Sequence, residues 1–374
     1  MKIIIAPDSF KGSLTAAQAC EALAAGVALA EPEAEILCVP MADGGEGTVQ
    51  SLIDGLGGSL VRCEVQDPIG RIVTAVYGIT DSGIAVMEMA QASGLTLLSE
   101  QERDPIVTST YGTGQLIMDA IDRGARDFII GIGGSATNDG GAGMAQALGY
   151  RFYDKYGMDL DRGGGALSGL TSIDASYVDP RLKECRFTVA CDVDNPLLGP
   201  NGASAIFGPQ KGATPEKVKM LDMALARLSA CIGYDIAETP GAGAAGGLGA
   251  GCIAFLSAEL KKGVDIVIEA TGLIDKVRGS SLVITGEGRT DRQTLSGKTI
   301  YGVTNVAKSQ NVPVIVISGS LANGAEELLN YGVIRLYSIM EHDMILEDAM
   351  RNGAVLLKSK AEQAVNEFLN CRKG

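Results

Sequence analysis

The chain has 374 residues, of which 46% are apolar and 20% charged, and a formal net charge of −14. That balance excludes a disordered chain and argues against nonspecific nucleic-acid or membrane binding, which favours basic surfaces. No apolar run approaches the roughly 20 residues of a membrane span, and Lys2 followed by Ile3, Ile4 and Ile5 reads as a strand, not a leader. The expectation is a cytoplasmic protein of two domains, at about 150 residues per domain. Eight cysteines without a C-x-x-C pair read as free thiols. Fifty glycines are nearly twice the usual share of about 7%, and they gather where apolar runs end.

In chain order, residues 3–5 predict a short buried strand. Residues 15–30 predict a helix, with Ala19, Leu23, Val27 and Ala30 at helical spacing, and 36–39 a second strand ending at Pro40. Short, wholly apolar strands alternating with helices imply a parallel sheet covered on both faces. The pattern then changes. Runs at 60–65, 72–79 and 84–89 are separated by the turns Asp67-Pro68-Ile69-Gly70 and Asp81-Ser82-Gly83, the signature of an antiparallel meander. A helix at 112–123, a strand at 128–132, a glycine-rich turn, a helix at 141–148 and a strand at 186–190 follow. The stretch 241–251, rich in glycine and alanine, opens a helix expected to run through 252–261. From 281 the alternation returns, with strands at 282–285, 314–317 and 333–337 and helices at 301–310 and 346–368. The fold class is therefore α/β. A parallel-sheet domain is expected from residues 1–62 and 279–374, with an inserted α/β domain at 63–278.

Open parallel sheets bind ligands at the carboxyl ends of their strands. Here those ends carry Asp8-Ser9-Phe10-Lys11-Gly12-Ser13, Asp43-Gly44-Gly45-Glu46-Gly47, Gly286-Glu287-Gly288-Arg289-Thr290-Asp291 and Ser318-Gly319-Ser320. One such loop is an ordinary turn. Three of them on one sheet edge bring carboxylates together with Lys11 and Arg289, and phosphoryl transfer needs positive charge and metal around the moving group. The inserted segment adds a second set. Residues 131–141 follow a strand and open a helix, where free N–H groups cradle phosphate; Gly133, Gly134, Ser135 and Asn138 are the contacts expected there. Cys191-Asp192-Val193-Asp194-Asn195-Pro196 offers carboxylates for a metal or a base, Gly208-Pro209-Gln210-Lys211-Gly212 a mobile cation, and residues 243–249 another glycine-rich approach.

Two near-motifs compete with that reading. Residues 131–136 spell G-x-G-x-x-A, with Asp154 at the distance of a ribose carboxylate, which leaves an NAD-dependent hydroxy-acid dehydrogenase open. Residues 292–299 end like a phosphate-binding P-loop, but Arg292 stands where the first glycine belongs and the preceding strand ends too early. A true P-loop is excluded, and Lys298 is still able to reach a phosphate. His342 is the sole histidine and reads as a loop or helix-start residue; with no G-x-S-x-G elbow, a serine hydrolase is excluded. A regulator that binds a sugar acid without turning it over is a further alternative.

Seven segments together resemble the glycerate kinase family of bacterial glycolate, glucarate and allantoin catabolism. They are APDSFKGSLTA at 6–16, PMADGGEGT at 40–48, GIGGSATNDGGAGM at 131–144, CDVDNPLLGPNGA at 191–203, GPQKGA at 208–213, GAAGGLG at 243–249 and TGEGRTDRQTLSGK at 285–298. They keep their order over most of the chain, while the C-terminal part matches in general character only. The resemblance implies ATP-dependent phosphorylation of D-glycerate at the 2-hydroxyl, with Mg²⁺. It also implies a Rossmann-like domain carrying an inserted one, with the site in the cleft between them. Within that reading Asp192 is the expected base. Lys11 and Arg289 hold the glycerate carboxylate or the transferred phosphoryl, and Asp43 and Asp291 hold Mg²⁺. Lys298 and Lys211 contact phosphate, and Asp8, Ser13, Gly286, Glu287 and Gly288 complete the binding set. MgATP is expected against the glycine-rich loops and glycerate near the edge of the sheet built from both chain ends. The only partner implied is the small-molecule substrate.

Overall fold

The protein was analysed as a computed structural model that describes residues 1–45, 47–296, 298–341 and 344–373. Glu46, Gly297 and His342, all named above, lie outside the described residues. In chain order the strands are β1 Lys2–Ile5, β2 Glu35–Cys38, β3 Gly58–Gln66, β4 Ile72–Thr80, β5 Ile84–Glu88, β6 Asp127–Gly131, β7 Arg151–Tyr153, β8 Ser172–Asp174, β9 Arg186–Ala190, β10 Glu259–Lys261, β11 Leu282–Thr285, β12 Arg289–Thr290, β13 Val314–Ser318, β14 Ser320–Leu321 and β15 Val333–Ser338. They distribute over two compact units. The first takes Met1–Asp43, Gln50–Gly57 and Val264–Gly374; the second takes Gly44–Val49 and Gly58–Gly263.

The first unit holds a five-stranded sheet in the order β15-β13-β11-β1-β2, with every neighbouring pair parallel. Ile3, Ile4, Ile5, Val283, Ile284, Ile315 and Ile317 are fully buried, as expected for strands covered on both faces. The helix Ala16–Ala30 starts at a capping box, in which the Thr15 and Gln18 side chains bond each other's backbone N–H. It packs beside the helix Gly353–Lys373 so closely that a Cβ on Gly26 would lie 2.1 Å from the Lys358 carbonyl oxygen. Their apolar sides, Leu23 and Val27 with Leu357, Ala361 and Val365, share one core with the sheet. From β1 the chain steps outward to β2, then resumes at β11 on the other side of β1 and continues to β13 and β15. Counted within the unit, that order is 2-1-3-4-5. It is the flavodoxin-like variant of the doubly wound fold, which specifies the Rossmann-like expectation further, and its switch point lies between β1 and β11.

The second unit holds a six-stranded sheet in the order β10-β9-β6-β5-β4-β3. The expected meander is present as antiparallel β3–β4–β5, but it forms one wing of a mixed sheet whose other strands, β5, β6, β9 and β10, are parallel. Phe128 and Phe187 stack across β6 and β9 with ring centroids 4.7 Å apart in its core.

Two sequence expectations are corrected. The helix expected through residue 261 ends at Leu256, because Ser257 turns left-handed (φ 54°), and Glu259–Lys261 is instead β10, paired with β9. Within that helix Ala245, Gly246 and Gly247 all take left-handed backbone, for which glycine is suited. The long C-terminal helix is two helices, Leu346–Arg351 and Gly353–Lys373, separated at Asn352. The compact units divide at 43/44, 49/50, 57/58 and 263/264, beside the expected domain limits of 62/63 and 278/279. β3 already begins at Gly58, opposite Thr80 of β4. The helix beginning at Gly263 packs its Val264 and Ile268 against Gly302 of the first unit's helix Thr299–Ser309. Among the described residues, no helix is long and apolar enough to cross a membrane.

Candidate active site

The carboxyl edge of the first sheet is knitted beyond its strands. Ala6 N–H donates to the Ile284 carbonyl at 2.8 Å and Asp8 N–H to that of Gly286 at 2.9 Å, so the two central strand-end loops leave the sheet side by side. Gly286 permits this; a Cβ there would lie 1.8 Å from the Ile317 carbonyl oxygen. Gly319 N–H donates to the Glu287 carbonyl at 2.9 Å, and β12 pairs with β14 so that Arg289 stands opposite Ser320. The next turn closes on itself through reciprocal Phe10–Leu14 backbone bonds of 2.9 and 3.0 Å. Gly12 takes φ +77° at its tip, leaving Lys11 exposed.

These loops surround a cavity of about 560 Å³ at the sheet's switch point. Asp8, Lys11, Ser13, Asp43, Glu287, Gly288, Arg289, Asp291 and Lys298 all line it. Gly286 is buried behind them. Asp8 accepts Ser9 N–H at 2.6 Å and the Thr299 hydroxyl. Burial, with a smaller push from the Asp43 charge, raises its carboxyl to about 6, against the pull of the Thr299 bond. Glu287 is a strut: it accepts the hydroxyls of Thr294 at 2.6 Å and Thr290 at 3.2 Å, and burial pushes its carboxyl up. Arg289 is well exposed, its Nε 3.7 Å from Asp291 Oδ2. Ser13 spends its hydroxyl on the Met350 carbonyl at 2.6 Å, which holds the loop against the helix Leu346–Arg351. Asp43 and Asp291, the carboxylates expected to hold Mg²⁺, line this cavity with Asp8, and Mg²⁺ binds through one or two carboxylates and otherwise keeps water and phosphate oxygens. Among the described residues, no three His, Cys, Asp or Glu side chains converge into a metal cage.

The remaining candidates belong to the second unit. Asp192 follows β9 and is exposed, its Oδ1 accepting Gly263 N–H at 3.0 Å. Gly133 and Gly134 are exposed in the turn after β6, but Ser135 and Asn138 face inward. Asn138 donates to Ser204 Oγ at 3.0 Å. Asp154, the ribose carboxylate of the dehydrogenase alternative, caps its own turn by accepting Tyr156 and Met158 N–H at 2.8 and 2.9 Å.

Lys211 is not the mobile cation expected from its glycine-flanked loop. It is 1% exposed and donates to Ser135 Oγ at 2.7 Å and to the Thr137 carbonyl at 2.6 Å. It thereby braces from inside the turn that presents Gly133 and Gly134. Burial pushes its ammonium down to about 7, while Asp139 pulls the other way. Asp139 is itself pushed up by burial and held back by hydrogen bonds from Thr110, Gly143 and Gly141.

A pH dependence follows. The lysine of the unfolded chain keeps its proton to about 10.5, while the native one loses it near 7. Above pH 7 the unfolded state therefore binds more protons, and stability rises with pH, by at most roughly 1.4 kcal/mol per unit. Lys211→Met should remove that rise between pH 7 and 9 in thermal unfolding. An unchanged pH slope in the variant would contradict this role.

Two groups in these sites escaped the sequence reading. Glu88, at the end of β5, accepts Gly47 and Val49 N–H at 3.0 and 3.3 Å and so pins the segment that follows Asp43; an acid closing an apolar strand was its only signal. Thr299 was visible only as the last residue of the rejected P-loop.

The whole-chain comparisons agree with one another. The family model described as "Glycerate kinase family" matches residues 3–369. The glycerate kinase of Halalkalibacterium halodurans is 51% identical over 364 residues, covering 96% of each chain. The glycerate 2-kinase of Escherichia coli is 48% identical over 358 residues, covering 94% of each. The crystal structure of a candidate glycerate kinase 2 from Salmonella typhimurium LT2 superposes with a TM-score of 0.92 at 46% identity and 100% coverage of both chains.

Proposed function

The chain belongs to the glycerate kinase family, and on that premise we propose that it phosphorylates D-glycerate at the 2-hydroxyl, using ATP and Mg²⁺, to give 2-phosphoglycerate. It is a phosphotransferase with an alcohol group as acceptor. One observation carries the chemistry: three aspartates and three cationic side chains line a single cavity at the switch point of a parallel sheet. In-line phosphoryl transfer needs little covalent chemistry from the protein and much positioned charge.

Each candidate group has one proposed role. The Asp192 carboxylate takes the proton of the substrate hydroxyl as that oxygen attacks the terminal phosphorus of ATP, whose bond to the bridging oxygen breaks so that ADP leaves with that electron pair. The orientation of the carboxylate is set by the bond from Gly263 N–H. Lys11 and Arg289, both exposed toward solvent and lining the cavity, hold the anionic groups whose charge grows in the transition state. Lys298, just ahead of the helix Thr299–Ser309, contacts phosphate. Asp43 and Asp291 hold Mg²⁺, which supplies charge neutralisation on the phosphate oxygens when bound. In the second unit, the exposed backbone of Gly133 and Gly134 is a cradle for an anionic group, with Ser135 and Lys211 bonded beneath it and Asn138 buried behind. A cytoplasmic location is part of the same reading.

The reading is tested by ADP release from ATP with D-glycerate present or omitted, and with Mg²⁺ or a chelator. Release that needs both D-glycerate and Mg²⁺ supports it. Release that ignores D-glycerate, or none at all, sinks it, and NAD reduction with a hydroxy acid would revive the dehydrogenase alternative.

A further inference from the structure

The cavity of the first unit is larger and more apolar than a three-carbon acid can use. Glycerate carries oxygen on every carbon and has no apolar face, yet much of this cavity of about 560 Å³ is walled by Phe10, Ile339, Met340, Leu346, Ala349 and Met350. Pockets of this size that pair an apolar wall with a few placed polar groups take flat, drug-sized molecules. We propose that this cavity binds the nucleoside of the phosphate donor, the base lying on the apolar wall and the phosphates running toward Lys11 and Lys298. The proposal rests on the kinase reading and reverses the sequence expectation that put glycerate at this edge.

Three observations support it beyond size. Leu346 lines the cavity yet is 58% exposed, an apolar surface that a stacked base would cover. The wall is also fixed relative to the charges. Ser13 Oγ donates to the Met350 carbonyl at 2.6 Å, and a Cβ on Gly12 would lie 2.6 Å from Met350 Cε, so the methionine packs directly on the loop that carries Lys11. Methionine thioethers are polarizable and adaptable, and they make favourable contacts with aromatic rings. Finally, the cavity lies at the switch point of a 2-1-3-4-5 sheet, where folds of this order hold their nucleotides.

Calorimetric binding of three separate probes, MgATP, inorganic tripolyphosphate with Mg²⁺, and D-glycerate, tests the assignment without turnover. Leu346→Asn is the main variant, because the residue is exposed and the change adds no charge; Ala349→Phe, which fills the cavity, is the second. Both should weaken MgATP at least tenfold while changing tripolyphosphate and D-glycerate less than twofold. Equal weakening of MgATP and tripolyphosphate would overturn the proposal, as would a loss of D-glycerate affinity with MgATP unaffected. If MgATP binding falls as expected but the wild-type protein never phosphorylates D-glycerate, the nucleoside site stands and the kinase reading fails.

Discussion

Asp192→Asn is expected to lower kcat by about 10²- to 10⁴-fold, the usual contribution of a positioned general base, with little change in thermal stability. The substitution is close to isosteric, and the amide oxygen can still accept the Gly263 N–H that fixes the native carboxylate at 3.0 Å. Asp192 is exposed, so no core is disturbed. What is lost is the capacity to take a proton. Steady-state kinetics alongside a melting curve separates the two effects: a stable, folded variant with the wild-type kcat means that another group takes the proton. Asp8 is then the comparator, since it lines the cavity and its carboxyl is already pushed up to about 6. A silent Asp192→Asn with an inactive Asp8→Asn would move the base into the first unit.

Lys11→Ala should reduce kcat/KM by about 10²- to 10³-fold, the range seen when one charge-stabilising donor is removed from a site of this kind. The side chain stands on a turn whose shape is set by the Phe10–Leu14 backbone bonds and by Gly12, not by the lysine itself. The loop should therefore persist and the loss should be electrostatic. Lys11→Arg keeps the charge and should recover part of the rate. If the alanine variant keeps both its turnover and its affinities for ATP and D-glycerate, Lys11 is a surface residue and the charge assignment is wrong.

The legible part of this protein was its periodicity. Ile3–Ile5, Leu282–Ile284 and Val314–Ile317 are short apolar runs that only a doubly covered parallel strand accommodates, and all three occupy one sheet. Lys11, Asp43, Arg289 and Asp291 line one cavity at its carboxyl edge, because a parallel sheet collects all its strand ends on one side. Strand order was not readable, since the local pattern is the same whichever neighbour a strand chooses. The helix Pro215–Ile232 was overlooked although Thr214 caps it and Pro215 opens it, both ordinary start signals. The largest misreading was Lys211. Its glycine-rich surroundings suggested a mobile loop, whereas those glycines let the chain pack tightly: a Cβ on Gly212 would lie 2.2 Å from the Arg103 carbonyl oxygen. Burial of a charged side chain is a tertiary outcome, and no local pattern announces it. The apolar wall from Ile339 to Met350 was equally silent, because exposed and cavity-lining methionines look alike in a sequence.

The most direct test of the central claim couples the reaction to enolase, which consumes 2-phosphoglycerate and not its 3-phospho isomer. With ATP, Mg²⁺ and D-glycerate, the protein should give ADP and an enolase signal in equal amounts. ADP without the enolase signal would contradict transfer to the 2-hydroxyl, and the absence of glycerate-dependent ADP would contradict the kinase itself.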